Sequence, residues 1–185
     1  MRRDIFEHRL NGPMRIHIIL LLLISASFSH CSPRVTITRD RDDQANFSQY
    51  KTFYWGPMEE DRHEEFPMYD NSLNRKRIKQ AVAGELAKIG YVMNDRAPDL
   101  LVDFHIVVES KQDYTTQPDS PYRYWRDYQL STYNYKVGTL IIHIVDANLE
   151  QLVWQGTASA VLDERPTEVE QRIHATIAKI FEKFP

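Results

Sequence analysis

The sequence predicts an α+β fold, a two-layer sandwich in which one antiparallel sheet carries two helices packed on one face. Three observations predict it. Tyr135–Leu162 holds two apolar, β-branched runs joined by a polar turn at Asp146–Gln151, the pattern of a β-hairpin. Leu100–Val108 alternates apolar and polar residues with the period of a strand buried on one side. Two further segments, one mid-chain and one at the end, carry apolar residues at helical spacing and suit the apolar side of that sheet.

At 185 residues, with 42% hydrophobic and 11% aromatic residues, the chain has the material for one packed core. The formal net charge is −3, and without residues 1–30 the balance is 19 basic to 24 acidic residues. That mildly acidic surface lacks the basic footprint of a nucleic-acid binder, so no nucleic-acid partner is expected. The one cysteine, Cys31, rules out an intramolecular disulfide.

Residues 1–30 read as a secretory signal peptide. Arg15 supplies a short charged region, Ile16–Ile24 an apolar core, and Ser25, Ala26, Ser27 and Ser29 a small-residue end. The apolar run is too short for a membrane-spanning helix. This layout fits a true start at Met14; the competing reading is a long charged region with Arg2, Arg3 and Arg9. Cys31 follows directly and resembles the lipidated cysteine of bacterial lipoproteins, whose thiol takes a diacylglyceryl group and which becomes the new N-terminus. Small residues normally precede that cysteine; here only Ser29 conforms, with His30 and Phe28 beside it. Cleavage after Ser29 is the competing processing site.

Residues 31–45 read as a tether with an edge strand at Val35–Thr38 and a solvated turn at Arg39-Asp40-Arg41-Asp42-Asp43. Residues 46–185 read as a single domain. Tyr50–Trp55 is an aromatic-rich strand ended by Gly56-Pro57, and 58–70 is a charged loop. The first helix spans Ser72–Ile89, capped by Asp70, Asn71 or Ser72, with Ile78, Val82, Leu86 and Ile89 as its apolar stripe. Gly90 reads as a left-handed terminator and Tyr91 as its hydrophobic closure.

In the next strand Leu100, Val102, Phe104, Ile106 and Val108 share a face, with Asp103, His105 and Glu109 opposite. In the hairpin, Leu140, Ile142 and Ile144 oppose Ile141, His143 and Val145. On the return strand Leu152, Trp154, Ala158, Ala160 and Leu162 fall on one face. The last helix starts at a capping box, Thr167-x-x-Glu170, and its stripe is Val169, Ile173, Ile177, Ile180, Phe181 and Phe184. The order is β-β-α-β-loop-β-β-α, with about four to six strands.

Residues 110–135 form the long loop of this scheme. They hold Tyr114, Tyr122, Tyr124, Trp125, Tyr128, Tyr133 and Tyr135 without a clean period. Long connections in compact domains are often functional. Tyr122, Tyr124, Trp125 and Tyr128 are the candidate binding residues, because their rings offer large faces with polar tips to a glycan, a peptide or a partner protein. The competing reading folds these rings onto the sheet.

Asp103, His105 and His143 are the metal candidates: all three lie on the polar faces of their strands, and an imidazole pair with a carboxylate suits zinc if the register brings them together. The polar face of a sheet also collects such residues without a metal. No G-x-S-x-G and no glycine-rich phosphate loop is present, and Glu59-Glu60 and Glu64-Glu65 sit in the charged loop. No catalytic residue and no cofactor is assigned.

With these residues in view, the chain resembles a family of bacterial envelope lipoproteins carrying domain of unknown function 4136. The resemblance rests on Phe47-Ser48-x-Tyr50-Lys51-Thr52-Phe53-Tyr54-Trp55, Arg77-Ile78, and Leu86-x-x-x-Gly90-Tyr91. It continues through Pro98-Asp99-Leu100-Leu101-Val102, Gly138-Thr139-Leu140, Asp146-Ala147, Leu152-Val153-Trp154-x-Gly156 and Lys183-Phe184-Pro185. It implies an exported, lipid-anchored α+β domain and brings no catalytic residues. The expected function is a non-enzymatic lipoprotein of the bacterial envelope, held at the outer membrane through Cys31, that binds or scaffolds an envelope protein. The alternatives are a periplasmic or surface binder of a small ligand, glycan or peptide, and a metal-dependent hydrolase using Asp103, His105 and His143.

Overall fold

The computed structural model describes residues 35–57, 66–118, 128–163, 165 and 167–185. In chain order the elements are β1 (Thr36–Arg41), a 3-10 turn at Phe47–Gln49, β2 (Thr52–Trp55), α1 (Ser72–Lys88), β3 (Val92–Met93), β4 (Leu100–Pro118), β5 (Tyr128–Asp146), β6 (Gln151–Val161) and α2 (Val169–Phe181). The fold is α+β. Its six strands form one sheet in the order β1-β6-β5-β4-β2-β3.

That sheet is mixed, which corrects the antiparallel expectation. β1, β6, β5 and β4 pair antiparallel, but β2 runs parallel to both β4 and β3. The cause is the order β2-α1-β3: an intervening helix carries the chain back to the end where it started, so β3 runs the same way on one side of β2, and after residues 94–99 β4 does so on the other. Asp99 fixes the parallel register. Its carboxylate accepts from the Lys51 amide at 2.8 Å, and from the Thr52 amide and hydroxyl at 2.9 Å each. The Asp99 amide in turn donates to the Thr52 hydroxyl at 3.0 Å.

Both helices lie on one face. Leu100, Val102, Phe104 and Ile106 of β4 pair in register with Asp146, Ile144, Ile142 and Leu140 of β5, so these side chains form one apolar surface. On it, α1 contributes Ile78, Ala81, Val82 and Leu86, and α2 contributes Ile177, Ile180 and Phe181. Arg75 of α1 lies over the Phe104 ring, 5.9 Å from its centroid. On the same face, α2 approaches β6 so closely that a Cβ on Gly156 would stand 2.4 Å from Ile180 and from the Trp154 ring. Trp154 packs on Phe181 and Phe184, with centroids 5.2 and 5.0 Å away. Phe184 also touches Phe47 and Tyr91.

Helix α1 is built as its sequence suggests at both ends. Asn71 caps it, accepting from the Asn74 amide at 2.9 Å. Asp70 is instead buried in a two-bond pair with Arg75, at 2.6 and 2.8 Å. Gly90 has φ +98°, and the Tyr91 and Gly90 amides reach the Leu86 and Ala87 carbonyls, the Schellman closure. Ile89 is the exception, 49% exposed because the helix ends before it. The expected capping box of α2 does not form. Glu168 precedes the helix in a left-handed conformation with no side-chain cap, and Glu170 faces Arg77 at 3.4 Å.

Two strands differ in extent from expectation. The charged run Arg39-Asp40-Arg41 is strand, not turn. β1 pairs along its length with β6, and Arg39 donates to the Ile180 carbonyl at 2.7 Å and to the Lys179 carbonyl. A cation there satisfies the last carbonyls of α2 and its negative dipole end. On β6 the pairing slips between Ile144↔Trp154 and Val145↔Leu152, which leaves Val153 as the extra residue of a bulge. Leu152 therefore leaves the apolar face and is 48% exposed.

Candidate functional site

The alternation that builds the covered face also builds an open one. Leu101, Asp103, His105 and Val107 of β4, Thr139, Ile141, His143 and Val145 of β5, and Gln155, Thr157 and Ser159 of β6 are all half-buried. They point away from the helices, because side chains alternate across a strand. Thr139 and Ser159 join hydroxyls across it at 2.9 Å.

At its centre the three sequence-identified residues meet. Asp103 and His143 are direct cross-strand partners, and His105 lies two residues along β4 on the same face. His105 Nε2 is 3.1 Å from Asp103 Oδ2. The two imidazoles have centroids 5.3 Å apart and planes at 60°. One potential ligand atom from each of the three lies within 4.8 Å of the others. His143 Nε2 bonds Gln155 Oε1 at 3.1 Å, a neighbour in register on β6. The second carboxylate oxygen of Asp103 is buried and has no hydrogen-bond partner among the described residues. A shallow groove between the helices, lined by Arg77, Glu168, Glu170 and His174, belongs to the covered side and carries no convergent ligands.

The aromatic segment divides differently. Residues 110–118 and 128–135 are not loop: β4 and β5 stay paired from Ser110↔Lys136 to Pro118↔Tyr128. Tyr128 therefore starts a strand, whereas Tyr122, Tyr124 and Trp125 lie outside the described residues. Cys31 lies outside them too. β6 accompanies the pair only as far as Val137↔Val161, with one more bond from the Leu162 amide to the Lys136 carbonyl at 2.8 Å. Beyond that point the strands form a two-stranded arm, about 25 Å long at the usual rise per residue. At its base the Lys136 ammonium sits over Phe66 and Tyr69, 4.9 and 5.9 Å from the ring centroids. Farther out, Tyr133 donates to Asp113 at 3.4 Å, and that carboxylate pushes the phenol's pKa up.

A second polar group, unforeseen as a set, closes the opposite end of the sheet. Asp146 is buried and accepts from the Tyr50 hydroxyl at 2.7 Å and from the Asn148 and Leu149 amides at 2.8 and 3.0 Å. Burial pushes this carboxyl up, but the hydrogen bonds from Tyr50, Leu149 and Asn148 outweigh it and hold it below the ordinary carboxylate value. Asp99 is likewise lowered, chiefly by the Lys51 and Thr52 amides. Burial raises the Tyr50 phenol, and its bond to Asp146 adds to that. The signal for this set was a carboxylate at the start of β4 and another at the end of β5. Its groups bond one another and the backbone, which makes it a clamp rather than a reactive centre.

A PDZ domain protein from Parabacteroides distasonis aligns at TM-score 0.53 and 14% identity, over 89% of this chain and 40% of that one. The chain thus spans about two-fifths of that protein's length, and the likeness shows a shared fold alone. A PelC dodecamer from Paraburkholderia phytofirmans aligns at TM-score 0.45 and 11% identity, over 80% of this chain and 95% of that one. No curated protein matches the chain significantly. The family model described as domain of unknown function DUF4136 matches residues 37–185. Among the residues on which the resemblance in sequence rests, Tyr50, Thr52, Gly90, Tyr91, Asp99, Asp146, Trp154, Gly156 and Phe184 lie in clamps, caps and close packing, whereas Leu152 is 48% exposed and Leu101 and Thr139 stand on the open face. From β1 to its last residue, this chain belongs to the DUF4136 family.

Proposed function

We propose that this protein is a non-enzymatic, exported lipoprotein of the bacterial cell envelope that holds an envelope protein through its β4–β5 arm. One observation carries the reading. The arm's backbone pairs only within itself beyond Lys136, among the described residues. A lone two-stranded ribbon is at best marginally stable in water, and a strand edge is a template for pairing with another chain. Addition of a partner strand to such an edge satisfies those groups, with side chains supplying specificity. Tyr122, Tyr124, Trp125 and Tyr128 flank the arm's outer end in sequence and are suited to be the anchors. The layout of residues 14–31 supports export and a diacylglyceryl anchor on Cys31 at the outer membrane.

The test has two arms. The intact mass of protein from native membranes is expected to equal the chain from Cys31 plus its lipid, and Cys31→Ala is expected to release the protein into the soluble fraction. A lipid-free chain beginning at His30 overturns the anchor. In parallel, a photo-crosslinking residue at position 133 is expected to trap one envelope protein, and the pair Trp125→Ala with Tyr128→Ala to abolish that crosslink. A crosslink pattern unchanged by the double variant overturns the role of the arm.

A further inference from the structure

We propose that Asp103, His105 and His143 form a binding site for a borderline divalent cation, with zinc as its natural class, on the open face of the sheet. The donor set is two imidazoles and one carboxylate, the set that zinc takes when a fourth position is left open. In a tetrahedral site with bonds of about 2.1 Å, ligand atoms stand about 3.4 Å apart. His105 Nε2 and Asp103 Oδ2 are already 3.1 Å apart, and one ligand atom from each residue lies within 4.8 Å of the other two. The His105 and Asp103 ligand atoms are thus already close to the spacing that a shared metal ion requires.

Three features separate this cluster from polar residues that merely share a sheet face. First, the ligands stand on β4 and β5 in fixed register, with Asp103 directly opposite His143. Their spacing is set by backbone hydrogen bonds rather than by a loop. Second, Gln155 accepts from one nitrogen of His143. The other nitrogen is left basic, and the ring is held in place, the usual task of an outer-shell partner. Third, Asp103 has a buried carboxylate oxygen with no hydrogen-bond partner among the described residues. An unsatisfied buried carboxylate oxygen carries a desolvation cost that a cation at the site removes. Half-buried Leu101, Val107, Ile141 and Val145 surround the cluster and lower the local dielectric. The three ligands are only half-buried on the open face, which leaves a fourth position for a water or a donor atom from a bound partner.

The test is cobalt and zinc titration of the chain expressed without a histidine tag. One equivalent of Co²⁺ is expected to give the visible absorption of a low-coordinate N/O site, and one equivalent of Zn²⁺ to displace it. The double variant His105→Ala with His143→Ala is expected to weaken binding by about 100-fold or more, and Gln155→Ala by about 10-fold. His174→Ala, on α2 outside the cluster, is expected to leave binding unchanged. Circular dichroism of each variant confirms that the fold is kept. The milder His105→Gln, which preserves size, serves if the alanine pair unfolds. Failure to take up one equivalent of either metal overturns the site. So does uptake unchanged in the double variant, or uptake lost only in His174→Ala.

Discussion

The two faces of this sheet are made by the same strands and do opposite work. On β4, Leu100, Val102 and Phe104 are almost fully buried under the helices, while their neighbours Leu101, Asp103 and His105 are half-exposed. On β5, Ile142 and Ile144 are buried and Ile141 and His143 are not. The covered face holds the packing and is bordered by the caps and clamps. The open face holds the imidazoles. The contrast teaches that one strand can spend alternate residues on packing and present the others to solvent, so that chemistry has to be sought among the residues in between.

The contrast breaks most visibly under truncation. Phe104→Ala is expected to cost about 3–5 kcal/mol, because it removes a fully buried ring and leaves a cavity. Ile141→Ala, one strand over and on the other face, is expected to cost about 1 kcal/mol from its partly buried surface. Urea unfolding of the two variants measures both; equal losses would show that the open face is covered in solution. Next in size is Gly156→Ala. Its new methyl meets Ile180 and Trp154 at 2.4 Å, so overpacking is expected to cost about 1–3 kcal/mol in the same measurement.

The clamp at the sheet's end sharpens the comparison through pH. Asp99 and Asp146 both have carboxyls below their unfolded values. The unfolded chain therefore takes up protons first, and their contribution is complete above about pH 4 and lost as pH falls through the lower folded values. Asp99→Asn is expected to cost about 1–2 kcal/mol at neutral pH. That difference is expected to narrow toward pH 3, read from urea midpoints across the range. An undiminished difference at pH 3 would mean that the loss is one of shape rather than of charge. The smallest effect belongs to the open face: His105→Ala is expected to stay within about 0.5 kcal/mol of the parent.

Much of this was legible in the sequence, for a physical reason that also marks where legibility ends. The alternation of Leu100–Val108 and of Leu140–Val145 is imposed by burial on one side, so it could be read directly. Parity alone put Asp103, His105 and His143 on polar faces. Their meeting needed the register Asp103↔His143, which no local pattern encodes. Residues 110–113 and 132–136 showed no apolar alternation because the arm there leaves nearly all of its side chains exposed. The parallel pairing of β2 was encoded in element order, strand then helix then strand, rather than in any residue of β2. Thr167 and Glu170 matched a capping box, yet the chain enters α2 through Glu168 in a left-handed turn while Glu170 faces Arg77.

Arg39 has a consequence for the order of assembly. Its guanidinium reaches the end of α2, 141 residues away in sequence, and among the described residues the strand that carries it pairs only with β6. During synthesis from the N-terminus, β1 emerges first and has no partner until nearly the whole chain has followed. Contacts that distant raise the entropic cost of closure and slow folding. The first strand therefore cannot dock until β6 has been made, nor Arg39 find its carbonyls until α2 has followed.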